Sequence, residues 1–233
     1  DWHLTGMAIG DKKIKILLPQ SDCEVIDNWH VIGLAGTGSK DIKIEKVFVP
    51  DHRTIPMGER GPRFHDHPLF RMPQWSVNPY SLVAVIIGVA QGALENFIES
   101  MQHRVSRFGN QVAEFQSLQL RIAESSAEID AAKRTMLGNL KETMEVLVDA
   151  QELPIESRAR NKRDMAYCPM LAARAIDRIF YAEGASGLFL SESIQRSFRD
   201  VHAGMRQIAL NWDINGTTYG QVALGLDPGF VRW

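Results

Sequence analysis

The chain has 233 residues, with 26 lysines and arginines against 28 aspartates and glutamates, a formal net charge of -2 and 45% hydrophobic residues. That length can bury a substantial core and admits one or two domains, and the near-balanced charge excludes the strongly basic footprint of a nucleic-acid binder. Cys23 and Cys168 are too few and too far apart for a disulfide framework or a metal site, so a reducing, cytoplasmic compartment is expected.

The first part of the chain reads as short strands. Residues 13–18 alternate charged and apolar side chains before turning apolar, and Ile42, Ile44, Val47 and Val49 keep a similar period. Pro19, Pro50 and the GTGS segment punctuate them. Residues 58–78 are rich in Pro, Arg and His without periodicity, which predicts a long connection and a domain boundary. The expected division is a partial β domain with its connection over 1–66 and a four-helix bundle over 67–233.

Asn78 and Pro79 form a helix start, a capping residue followed by proline at the first helical position. The helix is predicted to reach about Arg104, with Ile86, Ala90, Ala93, Phe97 and Met101 on one stripe. Its uncharged stretch, 79–94, falls short of the roughly 20 apolar residues of a membrane span, so no membrane partner is expected. A second helix is predicted from about Ala113 to Ala150, about 55 Å at the standard rise, with a seam of Phe115, Leu118, Ile122, Ile129, Met136, Leu140 and Leu147. The third is predicted over Ile155–Glu183, with Pro169 inside it. SRARNKR, 157–163, reads as a solvated face of that helix. A fourth is predicted from Ser193 to about Trp212, before a turn at Asn215 and Gly216. Four long segments joined in this way make an antiparallel bundle.

Several residues could carry chemistry. In RVSRFG, 104–109, an arginine at a helix end beside an aromatic and a glycine offers a fork for phosphate and a ring for stacking. The bland alternative is a helix end with a solvated arginine. The small-residue turn Gly184, Ala185, Ser186, Gly187 could bring backbone N–H groups and a hydroxyl close to an anion or a flat ring, or could be a tight interhelix turn. The following segment carries Arg196, Arg199, Asp200, His202 and Arg206 among apolar residues, and those groups need defined partners. Arg199 with Asp200 reads as an ion pair, His202 as a packing residue, and Trp75 and Trp212 as core or subunit-contact aromatics. His52 and the His65, Asp66, His67 triplet lack a metal-ligand context, so no metal site is assigned. Neither G-x-G-x-x-G nor a Walker motif occurs, which excludes a built-in nicotinamide or nucleotide domain of those types.

Residues 183–220, EGASGLFLSESIQRSFRDVHAGMRQIALNWDINGTTYG, with GLAGTGSKDIKIEKVFVP at 33–50, resemble the acyl-CoA dehydrogenase superfamily. Within it the likeness is to oxygenase components of two-component flavin-dependent monooxygenases. The resemblance implies a mostly α fold, a C-terminal bundle of the acyl-CoA dehydrogenase type after the second half of a β domain. It also implies that the chain is the later part of a longer polypeptide. The family carries an R-x-x-x-F-G or R-F-G pattern whose arginine binds flavin phosphate, and Arg107, Phe108 and Gly109 match it. Ser186 and Gly187 are the matching flavin-contact positions. A helical histidine that faces the flavin in related hydroxylases aligns with Gln207, which hydrogen-bonds but cannot exchange a proton near neutral pH.

The implied activity is hydroxylation of a small aromatic or phenolic substrate with O2 and reduced flavin, FMN or FAD, delivered by a separate NAD(P)H:flavin reductase. A homo-oligomer, a tetramer in this superfamily, is expected. Two other readings remain open. An acyl-CoA dehydrogenase with bound FAD would need a catalytic glutamate, and QIALNWDINGT contains none. A helical oligomerisation module with lapsed chemistry is compatible with Gln207.

Overall fold

A computed structural model of the chain describes residues 1–56, 67–149 and 151–229. Two units result, Asp1–Val31 with Ala35–Asp66, and Ile32–Leu34 with His67–Trp233.

In the first unit, β1 (Trp2–Ile9) and β2 (Lys12–Pro19) form an antiparallel hairpin, and β2 also pairs with a short later strand. Gly10, at φ +57, provides the left-handed residue that so tight a connection requires. A second small sheet pairs β3 (Glu24–Ile26) with β4 (Asp41–Lys43), and β5 (Thr54–Pro56) completes the order β1-β2-β5. Alternation on β2 buries Ile16 and Leu18 and exposes Leu17 between them. The edge strand β1 exposes Trp2, Leu4, Met7 and Ile9.

The second unit is the helical bundle. The 67–78 part of the connection is not structureless: a 3-10 turn, Pro68–Arg71, leads into α1 (Gln74–Val77), which runs almost directly into α2 (Tyr80–His103). Asn78 is helical and closes α1, and its side chain makes no cap for α2. The predicted stripe is buried throughout, from Ile86 to Met101. Contrary to the shorter span read from the sequence, the stretch Gln74–His103 is long and apolar enough to cross a bilayer; its buried residues pack against α3, α4 and α5, while Leu82 and Val85 are exposed.

Helix α3 (Gln116–Val148) starts later than expected, after a 3-10 turn at Val112–Glu114. Ala150, the expected end, lies outside the described residues. Leu118, Ile129, Met136 and Leu147 are buried as predicted, while Phe115 is exposed. Ser125, Asn139 and Thr143 complete the buried seam, at positions that counting only apolar residues misses. Helix α4 (Ile155–Glu183) contains Pro169 and is the hub, packing on α2, α3, α5 (Ser193–Gly204) and α6 (Trp212–Ala223). That position corrects the solvated reading of 157–163, because Ala159, Asn161 and Lys162 are buried.

The bundle core includes a satisfied polar network. Asn139 donates to the Tyr80 hydroxyl at 2.7 Å and to Asp164 at 2.8 Å, and Arg163 donates to the other Asp164 oxygen at 2.6 Å. Arg163 also lies over the Tyr219 ring, 4.5 Å from its centroid. A charge with both oxygens occupied is tolerable in such a core, whereas a lone one is not.

Candidate functional site

Helix α2 stops at Arg104, which turns to extended backbone. A small hairpin follows, in which Val105 bridges Gln111, Val112 N–H donates to Arg104 O at 3.0 Å and Ser106 N–H to Asn110 O at 2.8 Å. Gly109, at φ +82, makes the turn. Arg107 and Phe108 therefore stand on a projecting tip, Phe108 being 88% exposed. The Arg107 side chain is exposed and has no hydrogen-bond or ion-pair partner among the described residues.

The turn Gly184–Leu188 follows α4, entered through Gly184 at φ +72. The Ser186 hydroxyl is already committed: it donates to Glu183 O at 3.0 Å and accepts from Arg104 Nη2 at 2.9 Å. Arg104 Nη1 donates to Glu183 Oε1 at 2.8 Å. Gly187 is buried, and a Cβ there would lie 2.9 Å from Glu183 Cγ, so glycine is needed to fold the turn onto that side chain. The structure thus brings Ser186 and Gly187 to the foot of the hairpin that bears Arg107. It does so through Arg104 and Glu183, which the sequence reading did not assign. The available signal was Arg104 itself, which begins an R-x-x-x-F-G match four residues before Phe108.

Gln207 is not on a helix. The predicted fourth helix breaks after Gly204, which packs tightly against Ile86, and Gln207 becomes the cap of a 3-10 turn, Ile208–Leu210, its side chain accepting from Ala209 N–H. Asn211 then caps α6 by accepting from Ile214 N–H at 3.0 Å. Residues 215 and 216 lie inside α6 instead of forming a turn. Asn215 is buried and donates to Ala209 O and Asn211 O, both at 2.9 Å, while Gly216 makes room for the Trp212 ring. Gln207 is exposed at this break.

The polar groups of α5 find partners other than those expected. Arg199 and Asp200 do not pair with each other: Asp200 accepts from Leu34 N–H at 2.6 Å, and Arg199 donates to Ile32 O at 2.6 Å and to Gln195. His202 faces Asp177 at 2.7 Å and packs on Phe198, whose ring stacks on Phe180. Trp212 contacts Tyr167, 5.7 Å between ring centroids. In the HDH triplet, His65 and Asp66 lie outside the described residues, and His67 Nδ1 accepts from Leu69 N–H as a turn cap.

The Arg107 tip suits a phosphate-bearing group, because an unpaired guanidinium beside an exposed aromatic ring supplies a charge-assisted donor and a stacking face. The Ser186 hydroxyl is less suited, being engaged on both sides.

Residues 80–212 match the family model described as acyl-CoA dehydrogenase, C-terminal domain. The chain is 35% identical over 229 residues to the oxygenase component of an FADH(2)-dependent resorcinol hydroxylase from Rhizobium sp., covering 91% of this chain and 56% of that protein. It superposes on the crystal structure of 3-HSA hydroxylase from Rhodococcus sp. RHA1 with a TM-score of 0.89 at 32% identity, over 97% of this chain and 61% of that one. It also resembles XiaF from Streptomyces sp., solved with FADH2 and glycerol, with a TM-score of 0.85 at 26% identity, over 94% of this chain and 57% of that one. The chain thus spans little more than half the length of these relatives. With more than half its residues inside the matching model and the same helical bundle, the chain belongs to the acyl-CoA dehydrogenase C-terminal domain family.

Proposed function

We propose that the chain is the C-terminal part of a flavin-dependent monooxygenase oxygenase component, which uses reduced flavin and O2 to hydroxylate a small aromatic or phenolic substrate. The observation that carries this reading is the uncommitted Arg107 on its exposed hairpin, in a chain whose relatives are named as hydroxylases. When bound, reduced flavin, FMN or FAD, supplies the two electrons that let one atom of O2 enter the ring while the other leaves as water. Arg107 would hold its phosphate, Phe108 would offer a stacking face, and the Ser186–Gly187 turn would contribute backbone N–H groups. Gln207 would hydrogen-bond near the reacting centre without moving a proton. A separate NAD(P)H:flavin reductase would deliver the reduced flavin in the cytoplasm.

The intact protein is also proposed to be a homo-oligomer, a tetramer. Leu188, Phe189 and Leu190 are consecutive and exposed, Leu190 by 84%, and Tyr181 is exposed one turn before the loop. Such a run supports this reading, with a second copy of the chain as the partner that would cover it.

Anaerobic titration of the intact protein is expected to show tighter binding of reduced than of oxidised flavin, and admission of O2 with a panel of phenols is expected to give a hydroxylated product. Arg107→Ala should weaken reduced-flavin binding by about 10- to 100-fold, the loss of one charge-assisted hydrogen bond. Gln207→His should raise the hydroxylation rate if position 207 faces the reacting atoms, and an unchanged rate would remove it from the site. Tightly held oxidised FAD with oxidation of an acyl thioester would establish the dehydrogenase reading instead. Binding of neither flavin would leave only the lapsed module, and sedimentation as a monomer would remove the oligomer.

A further inference from the structure

The two segments assigned above to the cofactor share one anchor. The carbonyl of Arg104 closes the base of the 105–111 hairpin, while its guanidinium reaches 79 residues along the chain to Glu183 and 82 to Ser186. Three oxygens receive that one side chain, Glu183 Oε1 at 2.8 Å, Glu183 O at 3.2 Å and Ser186 Oγ at 2.9 Å, and Nη1 also approaches Met101 Sδ at 3.9 Å. The Glu183 side chain is only 11% exposed, so solvent competes weakly for the pair. A hairpin with this few cross-strand bonds is marginal alone, and its direction depends on what holds its base. Arg107 sits at its turn, so whatever orients the hairpin orients Arg107.

We infer that Arg104 is a positioning residue: by latching to Glu183 and Ser186 it fixes the Arg107 hairpin against the Gly184–Leu188 turn. The two segments then meet a phosphate-bearing cofactor as one preformed surface. This rests on the flavin reading above. It gives the Ser186 hydroxyl a different task from ligand contact, and it explains why an arginine is used. A planar fork spans several acceptors at once, whereas the point charge of a lysine can satisfy the carboxylate but not the whole set. Preforming the surface removes an ordering cost from cofactor binding.

The test uses the intact protein with Arg104→Gln, Arg104→Lys and Glu183→Gln, read in two ways. In hydrogen exchange without cofactor, Arg104→Gln is expected to speed exchange at Ser106, Gly109, Val112 and Phe189 together, leaving the core amides of α2, α3 and α4 unchanged. Glu183→Gln, which keeps an oxygen for Arg104, should do so less. In anaerobic titration with reduced FMN or FAD, Arg104→Gln should raise Kd on the order of 10-fold, with little recovery in Arg104→Lys. In an Arg107→Ala background the same substitution should change Kd by less than about twofold, because the residue acts through the hairpin. Exchange that changes in only one segment, or effects of Arg104→Gln and Arg107→Ala that multiply, would overturn the latch. Wild type that binds reduced flavin, with Arg107→Ala weakening it and Arg104→Gln not, would overturn this inference alone. Wild type that binds none overturns it together with the reading beneath it.

Discussion

Gly33→Ala is expected to destabilise the helical unit by about 3 kcal/mol, at the upper end of the usual cost of overpacking. A Cβ at this position would press on the carbonyl oxygen of Arg199, 2.6 Å from its carbonyl carbon and 3.0 Å from the Ala203 Cβ. The atoms it meets are mainly helix backbone, which cannot swing aside as a flexible side chain can. The strap Ile32–Leu34 would have to retreat from α5, and with it would go the 2.6 Å bonds from Leu34 N–H to Asp200 and from Arg199 to Ile32 O. Leu34 is itself held at φ +53, a left-handed conformation that costs about 1–2 kcal/mol in a residue of this kind and persists because those bonds hold it. Gly36→Ala is the control, since nothing lies within 4 Å of its added Cβ. Urea unfolding of both variants checks the expectation. A Gly33→Ala loss no larger than that of Gly36→Ala would show that the strap yields freely.

The difference between Gly33 and Gly36 also marks what the sequence could and could not disclose. Both sit in one glycine-rich segment, and only a neighbour more than 160 positions away tells them apart. Helices α2 and α4 were legible because their apolar residues repeat at helical spacing and their ends carry proline or a change of pattern. The seam of α3 was half legible, since Ser125, Asn139 and Thr143 continue the spacing of Leu118, Ile129 and Met136 but bury polar atoms. The break after Gly204 was not legible. Gln207 caps its turn with a side chain common in helix interiors, Asn211 is a good capping residue but lies inside the span read as one helix, and Asn215 looks like a turn residue until its buried amide is seen bonding two carbonyls. In the candidate site the Arg107, Phe108, Gly109 pattern and the small-residue turn could be found locally. Their connection could not, because Arg104, Glu183 and Ser186 meet only after α3 and α4 have folded back.

Between about pH 9 and pH 12 the protein is expected to lose stability, through the thiol of Cys168. Cys168 is fully buried in α4, and burial, reinforced by the negative charge of Asp164, pushes the thiol from its ordinary 9.0 to about 12. In this window the unfolded chain gives up the proton and the folded chain keeps it, so the unfolded state binds fewer protons and stability falls as pH rises. The contribution is fully present below about pH 9, and its loss approaches about 4 kcal/mol by pH 12, at 1.36 kcal/mol for each unit of difference. Tyr80 acts in the same direction from about pH 10 upward, because burial raises its phenol well above the usual tyrosine value. Lys162 opposes both. Burial lowers its ammonium, so it destabilises the fold while the unfolded lysine is charged and ceases to do so above the ordinary 10.5. The net fall should therefore begin with Cys168 and be moderated near the lysine's own range. Cys168→Ala creates a small cavity and lowers stability at neutral pH, but it should flatten the alkaline limb, whereas Lys162→Met should steepen it. Urea midpoints measured from pH 7 to pH 11 under reducing conditions distinguish these slopes. Parallel curves for wild type and Cys168→Ala would show that the buried thiol does not resist ionisation in the fold.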